Sequence, residues 1–385
     1  MRLSFFLTLG VVLTFAVQAE EMRPALESVG QAVRPFVEQK EVAGAVAAVF
    51  TAERVLGLNK EGAADLASGR PMASDTLFWI ASMTKPITAM AVMNLRDEGK
   101  LQLDDPVGNY LPAFAAPGAP AEKVTIRQLL THTSGLADAP NSRSAKTLAE
   151  LTALYPAQPL KFPPGSKWEY CNPGINTLGR LVEVVSGKEF AAFLDERFFR
   201  PLGMKDTTFY PSEEQASRLA RTYKKNADGS LEAVGIGILF GGAVTPRADS
   251  IPYPAGGLFS TADDLITFYQ MVLEGGEAKG WRYINEATLK EMAALHSGGL
   301  QTGFTPGASW GLGWSRVAEP QGVTAALSPG TFGHGGAYGT QIWLDPVQRR
   351  GYLLLIQRSN LPNADGSDIR KAFQDAAAAT LGQKP

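Results

Sequence analysis

The order of the hydrophobic periods limits this fold most: strand-like at both ends of the chain, helical in the middle. Ala43 to Thr51 is small and β-branched, and a turn at Ala52-Glu53 leads to Val55-Leu56-Gly57-Leu58, which predicts a hairpin. From about residue 100 the pattern becomes helices separated by Pro- and Gly-rich loops. Near Trp310 strand signals return: Gly311-Leu312-Gly313-Trp314, then Thr331 to Trp343, then Gly351 to Ile356 paired through the turn at Asp345-Pro346.

The helices carry their own punctuation. Leu26, Val29, Val33 and Val37 predict a first helix from Pro24 to Val37, with Pro35 expected to kink or end it. Thr125-Ile126-Arg127-Gln128 reads as a capping box. Ile175, Leu178, Leu181, Val182 and Val185 form a stripe closed by Gly187. Further helices are expected from Thr261 to Leu273 and from Asn285. A last one begins at Ser367, presents Ile369, Phe373, Ala377 and Leu381, and ends at Gly382.

Residues 1–19 read as a signal peptide: a positive start at Arg2, an apolar run from Leu3 to Val17, and a small-residue cleavage site at Val17-Gln18-Ala19. The run is short for a membrane span, so an uncleaved anchor is the weaker reading and an exported, periplasmic or secreted protein the expected one. The 366 remaining residues exceed what one core usually holds, so two domains or a large insertion are expected. A net charge of −2 over the whole chain gives no footing for nucleic acid or an anionic membrane. Cys171 is the only cysteine, which excludes an internal disulfide and a cysteine zinc site. The histidines are His132, His296 and His334, without metalloprotease spacing, so neither a metal nor another cofactor is expected.

Ser82-Met83-Thr84-Lys85 sets a hydroxyl and an amine almost one helical turn apart, where Pro86 marks a helix beginning. A serine needs such a neighbouring base to become a nucleophile. The bland reading is an N-cap serine beside a solvated lysine. Two Tyr-x-Asn triplets could supply a third group. In Tyr283-Ile284-Asn285 the asparagine is explained as the N-cap of a following helix. Tyr170-Cys171-Asn172 lies in a Pro- and Gly-rich loop, where a side chain can be held rigidly, and Lys85 could favour its phenolate. His132 reads as a turn residue satisfying local hydrogen bonds, and Cys171 as a small filler. Trp310, Trp314 and Tyr338 are core residues or walls for an acyl group.

Together these segments resemble the serine β-lactamase and penicillin-binding-protein superfamily, in the class C-like branch that includes esterases and D-aminopeptidases. Ser82 to Lys85 is similar to the nucleophile motif and Tyr170-Cys171-Asn172 to the second motif. Leu130 to Leu136, Ala255 to Thr261 and Gly311 to Trp314 are also similar to segments of that branch. The third motif departs: where penicillin-recognising members carry Lys-Thr-Gly, this chain has His334-Gly335-Gly336. An imidazole that is mostly neutral replaces a cation, so recognition of a substrate carboxylate should weaken.

The resemblance implies an α/β (α+β) fold, β-lactamase/transpeptidase-like, with an antiparallel sheet flanked by helices. Residues 20–99 and 306–385 would form the sheet domain and 100–305 an inserted all-helical domain. It implies catalysis by Ser82, Lys85 and Tyr170, and an oxyanion hole from the N–H groups of Ser82 and Ala337. Asn172 would orient the substrate or the Lys85 amine, and His334, Gly335 and Gly336 would line the binding wall. The expected substrate is a small ester, with amide or lactam chemistry as the alternative. A non-catalytic binder of cell-wall peptide is the rival of another class. The chain has no Gly-x-Ser-x-Gly, which disfavours an α/β-hydrolase.

Overall fold

The computed structural model describes residues 27–237 and 251–380. The proposed signal peptide, the start of the first helix, Leu381 and Gly382 lie outside them. Eight strands form one antiparallel sheet: β1 (Gly44–Phe50), β2 (Val55–Asp65), β3 (Arg70–Pro71), β4 (Ala308–Trp310), β5 (Ser315–Val317), β6 (Phe332–Gly335), β7 (Gln341–Asp345) and β8 (Arg350–Leu355). Their order is β4-β5-β6-β7-β8-β1-β2-β3. The two ends of the chain therefore join at β1 and β8, where Val46 faces Leu355 and Phe50 faces Gly351.

β1 is buried along its whole length, and its side chains alternate between two cores. Val46, Ala48 and Phe50 point to an inner core under the helices α2 (Thr84–Asp97) and α5 (Ala262–Leu273). Ala45, Ala47 and Val49 point to an outer core under α1 (residues 27–38) and α7 (Asp368–Thr380). Each large apolar side chain so covered contributes roughly 1.5–3 kcal/mol. Pro35 does not end α1, which runs on to residue 38. Its ring faces solvent while Val29 and Val33 remain buried, and that packing outweighs one lost backbone bond.

Two strand expectations need correction. Gly311 to Trp314 is the turn joining β4 to β5, closed by Gly311 N–H donating to Trp314 O at 2.9 Å. Thr331 to Trp343 is two strands, β6 and β7, separated by a turn over residues 336–340.

The content of the expected insertion also differs. Residues 100–305 are not all-helical: Thr222–Lys225 pairs with Leu231–Val234, and Glu277–Ala278 with Trp281–Arg282. Nor are they apart from the sheet. Leu265 and Ile266 of α5 share the inner core with Val46, and Gln270 Nε2 donates to Thr51 O at 2.9 Å. Helix α2 explains this continuity. Every residue from Thr84 to Leu95 is buried, so α2 is covered on all sides, with the helix α4 (Asn172–Ser186) in the same core as the sheet's inner face.

Capping follows the sequence in most places. Thr125 and Gln128 form the expected box at α3 (Ile126–Leu130), and Gly187 closes α4 at φ +72°. Asn285 stands at the N-cap of α6 (Glu286–Ala293), yet its side chain makes no capping bond. Asp97 serves instead, accepting from the Asn285 N–H at 3.0 Å and from Thr288 Oγ1 at 2.5 Å.

Candidate active site

Ser82 lies in a single 3-10 turn, Ala81–Met83, that leads into α2. Ala81 just before it is held in the left-handed region at φ 48°, a strained conformation for a residue with a Cβ. Thr84 Oγ1 helps hold this corner by donating to Ala81 O at 2.7 Å. Lys85 follows one turn on and is fully buried, its Nζ 3.1 Å from Ser82 Oγ and 2.5 Å from Ala255 O. Burial without a counter-ion pushes the Lys85 ammonium down to about 7. A neutral amine donates to Ala255 O and keeps its lone pair for the Ser82 proton.

Tyr170 completes the group. Its hydroxyl hydrogen-bonds Ser82, and Lys85 Nζ stands 4.6 Å from the centre of its ring. Burial pushes the phenol up, against the smaller lowering from Ser82, so the resting residue is a neutral hydroxyl. The reading that Lys85 favours the Tyr170 phenolate is thereby corrected: burial outweighs it, and Lys85 itself holds its charge only below about 7.

His132 brackets Tyr170. Its carbonyl accepts from Glu169 N–H at 3.0 Å and its Nδ1 from Cys171 N–H at 3.1 Å, with its ring 4.7 Å from the phenol ring. Beside the expected local bond, His132 N–H donating to Leu129 O at 3.4 Å, its ring and carbonyl thus make bonds that are long-range in sequence. Cys171 is more than a filler: it is the N-cap of α4, its Sγ accepting from Gly174 N–H at 3.3 Å. Asn172 is exposed, and among the described residues it makes no hydrogen bond to Lys85. The orienting contact expected from it comes from the Ala255 carbonyl, whose N–H is in turn held by Asn176 Oδ1 at 3.1 Å. A backbone carbonyl leaves no signature in a sequence, although Ala255-Gly256-Gly257 was a visible flag.

The third motif borders the same group. The turn after β6 is fastened beside Ser82 through Thr340 Oγ1, which donates to Ile80 O at 3.2 Å. A Cβ at Gly336 would lie 2.6 Å from Ile80 O, and one at Gly335 1.9 Å from Asp365 Oδ1, so both glycines permit close approach. Ala337 is exposed at the tip of this turn. His334 is only 2 % exposed, its Nδ1 is 2.6 Å from Gly335 O, and its ring is 6.0 Å from that of Tyr170. Burial and then Lys85 push it down to about 3, which makes it a neutral wall residue rather than a charged anchor. Trp310 joins this wall, 4.9 Å from His132, whereas Trp314 packs against Tyr269 and Tyr338 against Trp79. The sequence reading missed Trp168 and Phe304; Phe304 is 46 % exposed, with its ring 5.0 Å from Tyr170.

Tyr283 is elsewhere. It is 4 % exposed and stacked on Phe198, and its hydroxyl has no partner among the described residues. A cavity of about 260 Å³ lies away from Ser82, and Asp65, Ser68, Arg70, Ser217 and Arg221 are among its lining, with no lysine beside its serines. No metal-ligand cluster occurs among the described residues, and no helix there is long and apolar enough to cross a membrane.

Comparison with known proteins bears on the family and the fold. The family model described as Beta-lactamase matches residues 29–377. Protein Rv1367c of Mycobacterium tuberculosis is 35 % identical over 364 residues, covering 84 % of this chain and 88 % of that protein. Esterase EstB of Burkholderia gladioli is 32 % identical over 377 residues, covering 89 % and 92 %. Penicillin-binding protein 4 of Amycolatopsis lactamdurans is 32 % identical over 353 residues, covering 90 % and 86 %. Among solved structures, EstCE1, a hydrolase with promiscuous acyltransferase activity, matches with a TM-score of 0.78 at 25 % identity, over 93 % of this chain and 99 % of that one. The fold is that of β-lactamases and transpeptidases, and the chain belongs to the beta-lactamase family of serine hydrolases.

Proposed function

We propose that this protein is an exported carboxylesterase that cleaves a neutral ester through an acyl-enzyme on Ser82. The observation that carries the reading is the buried Lys85 amine, titrating near 7 and 3.1 Å from Ser82 Oγ. Its lone pair takes the Ser82 proton as Oγ attacks the carbonyl carbon. The N–H groups of Ser82 and Ala337 hold the oxyanion. As the tetrahedral intermediate collapses, the neutral Tyr170 hydroxyl gives its proton to the departing alkoxide, leaving a phenolate beside the new Lys85 ammonium. That phenolate takes a proton from water, which attacks the acyl carbonyl. Ser82 Oγ then leaves with the proton held by Lys85, and all three groups return to their resting states. Asn172, exposed at the start of α4, orients the substrate from the solvent side in this reading.

Preference for an uncharged substrate rests on the third motif. With neutral His334 and no hydroxyl at 335, the third motif itself offers a carboxylate no cation. The similarity to Esterase EstB supports the same reading, and that to EstCE1 favours acyl transfer to an alcohol as a second outcome of the same acyl-enzyme. Labelling with a fluorophosphonate probe tests the nucleophile, and p-nitrophenyl esters set against nitrocefin and D-alanine p-nitroanilide test the preference. Label absent from Ser82, or nitrocefin turned over faster than every ester, would refute it.

A further inference from the structure

Three nitrogens beside the third motif are buried without a partner among the described residues: Trp310 Nε1, His334 Nε2 and Arg370 Nη2. Their residues are 0 %, 2 % and 0 % exposed, and all three line one cavity of about 10 Å³ that also meets Asp365. That volume suits roughly one water molecule.

The hydrogen-bond roles at this cavity are fixed. Indole and guanidinium nitrogens only donate. His334 Nδ1 lies 2.6 Å from the Gly335 carbonyl, which only accepts, so Nδ1 carries the ring proton and Nε2 presents a bare lone pair. The cavity therefore joins two donors to one imidazole acceptor and the Asp365 carboxylate. An anion would satisfy the donors but meet a lone pair and a carboxylate. A cation would meet the Arg370 guanidinium. A small neutral group that both accepts and donates satisfies all three nitrogens, each of which is costly to bury unpaired.

We propose that this cavity is a binding site for a single water molecule, accepting from Trp310 and Arg370 and donating to His334. Arg370 is held for this task by stacking 4.1 Å from the Trp343 ring and by donating to Asp365 O. The water ties α7 on the outer face of the sheet to the wall beside Tyr170, and it locks His334 in its Nδ1–H form. It also accounts for the missing lysine of the third motif, since an ammonium at 334 would enter a cavity already holding a guanidinium. This site stands whether or not the protein proves to be an esterase.

A crystal structure of the full chain that shows ordered solvent tests it directly. One water should lie within about 2.7–3.2 Å of Trp310 Nε1, His334 Nε2 and Arg370 Nη2. A dry cavity, direct bonds among these side chains, or an anomalous peak there after bromide soaking would overturn the proposal. Nitrogen-15 NMR gives a second reading, because the chain has three histidines. His132 accepts at Nδ1 from Cys171, so its ring proton is on Nε2, and His296 carries a hydrogen on Nε2, which it donates to Glu291 O. The spectrum at neutral pH should show those two and one Nδ1–H ring. Three Nε2–H rings, or a charged His334, would overturn it.

Discussion

The two Tyr-x-Asn triplets share a pattern and almost nothing else. Both lead into a helix, α4 after Tyr170 and α6 after Tyr283. Tyr170 meets Ser82, Lys85 and His132, in a loop whose backbone is bonded on both sides by His132. Tyr283 fills a core position beside Phe198, and its hydroxyl has no hydrogen-bond partner among the described residues. The lesson is that a three-residue motif specifies a local turn, while chemistry depends on which buried base the turn is carried to.

The largest test removes what Tyr170 has and Tyr283 lacks. Ser82→Ala should abolish ester turnover and covalent labelling while leaving the circular dichroism and Tm near wild type, since the Ser82 side chain caps no helix. Turnover by purified Ser82→Ala within tenfold of wild type would break the comparison. Next, Tyr170→Phe should lower kcat by about 10²–10⁴, the loss expected for a proton-transfer group. Tyr283→Phe should leave kcat unchanged and stabilise the protein by up to about 1 kcal/mol, because it deletes an unpartnered buried hydroxyl. Equal losses in the two variants would erase the distinction.

A pH series sharpens it further. Lys85 acts as a base only when neutral, so kcat/KM should fall about tenfold per unit below about 7 and level off above it. Stability should follow the same group. Its pKa is depressed on folding from 10.5 to about 7, so the unfolded chain binds more protons between those values, and stability should rise with pH across that window. Lys85→Met should remove both effects together. A pH profile that stays unchanged in Tyr170→Phe but vanishes in Lys85→Met would assign it to the amine.

The smallest effect concerns the caps of the two helices. Cys171 Sγ accepts a backbone N–H, whereas the Asn285 side chain accepts none. Cys171→Ala should therefore cost about 0.5–1 kcal/mol in chemical denaturation, and Asn285→Ala less. A larger cost at Asn285 would mean that its side chain caps after all.

Local signals proved legible wherever neighbours in sequence decide the structure. The Thr125–Gln128 box, the Gly187 stop, the hairpin of β1 and β2 and the β7–β8 pairing depend on short-range bonds and a strict period, and each lies where the pattern puts it. The Ser82–Lys85 contact is of the same kind, one helical turn apart. Gly311 to Trp314 misled because buried aromatics in a turn resemble a strand, and the turn is stabilised only by packing against distant parts, such as Gly313 N–H donating to Leu130 O at 2.9 Å.

What the sequence by itself determined is which residue types were available: one serine beside one lysine, one loop tyrosine, and a third motif without a cation. The tertiary structure decided their ionisation and their partners. Lys85 can lose its proton near pH 7 because folding strips it of water and offers a carbonyl, not a carboxylate, and burial likewise keeps Tyr170 a phenol. His334 is a neutral acceptor because a backbone carbonyl claims its other nitrogen. Desolvation is a property of everything packed around a group, so no window of sequence contains it.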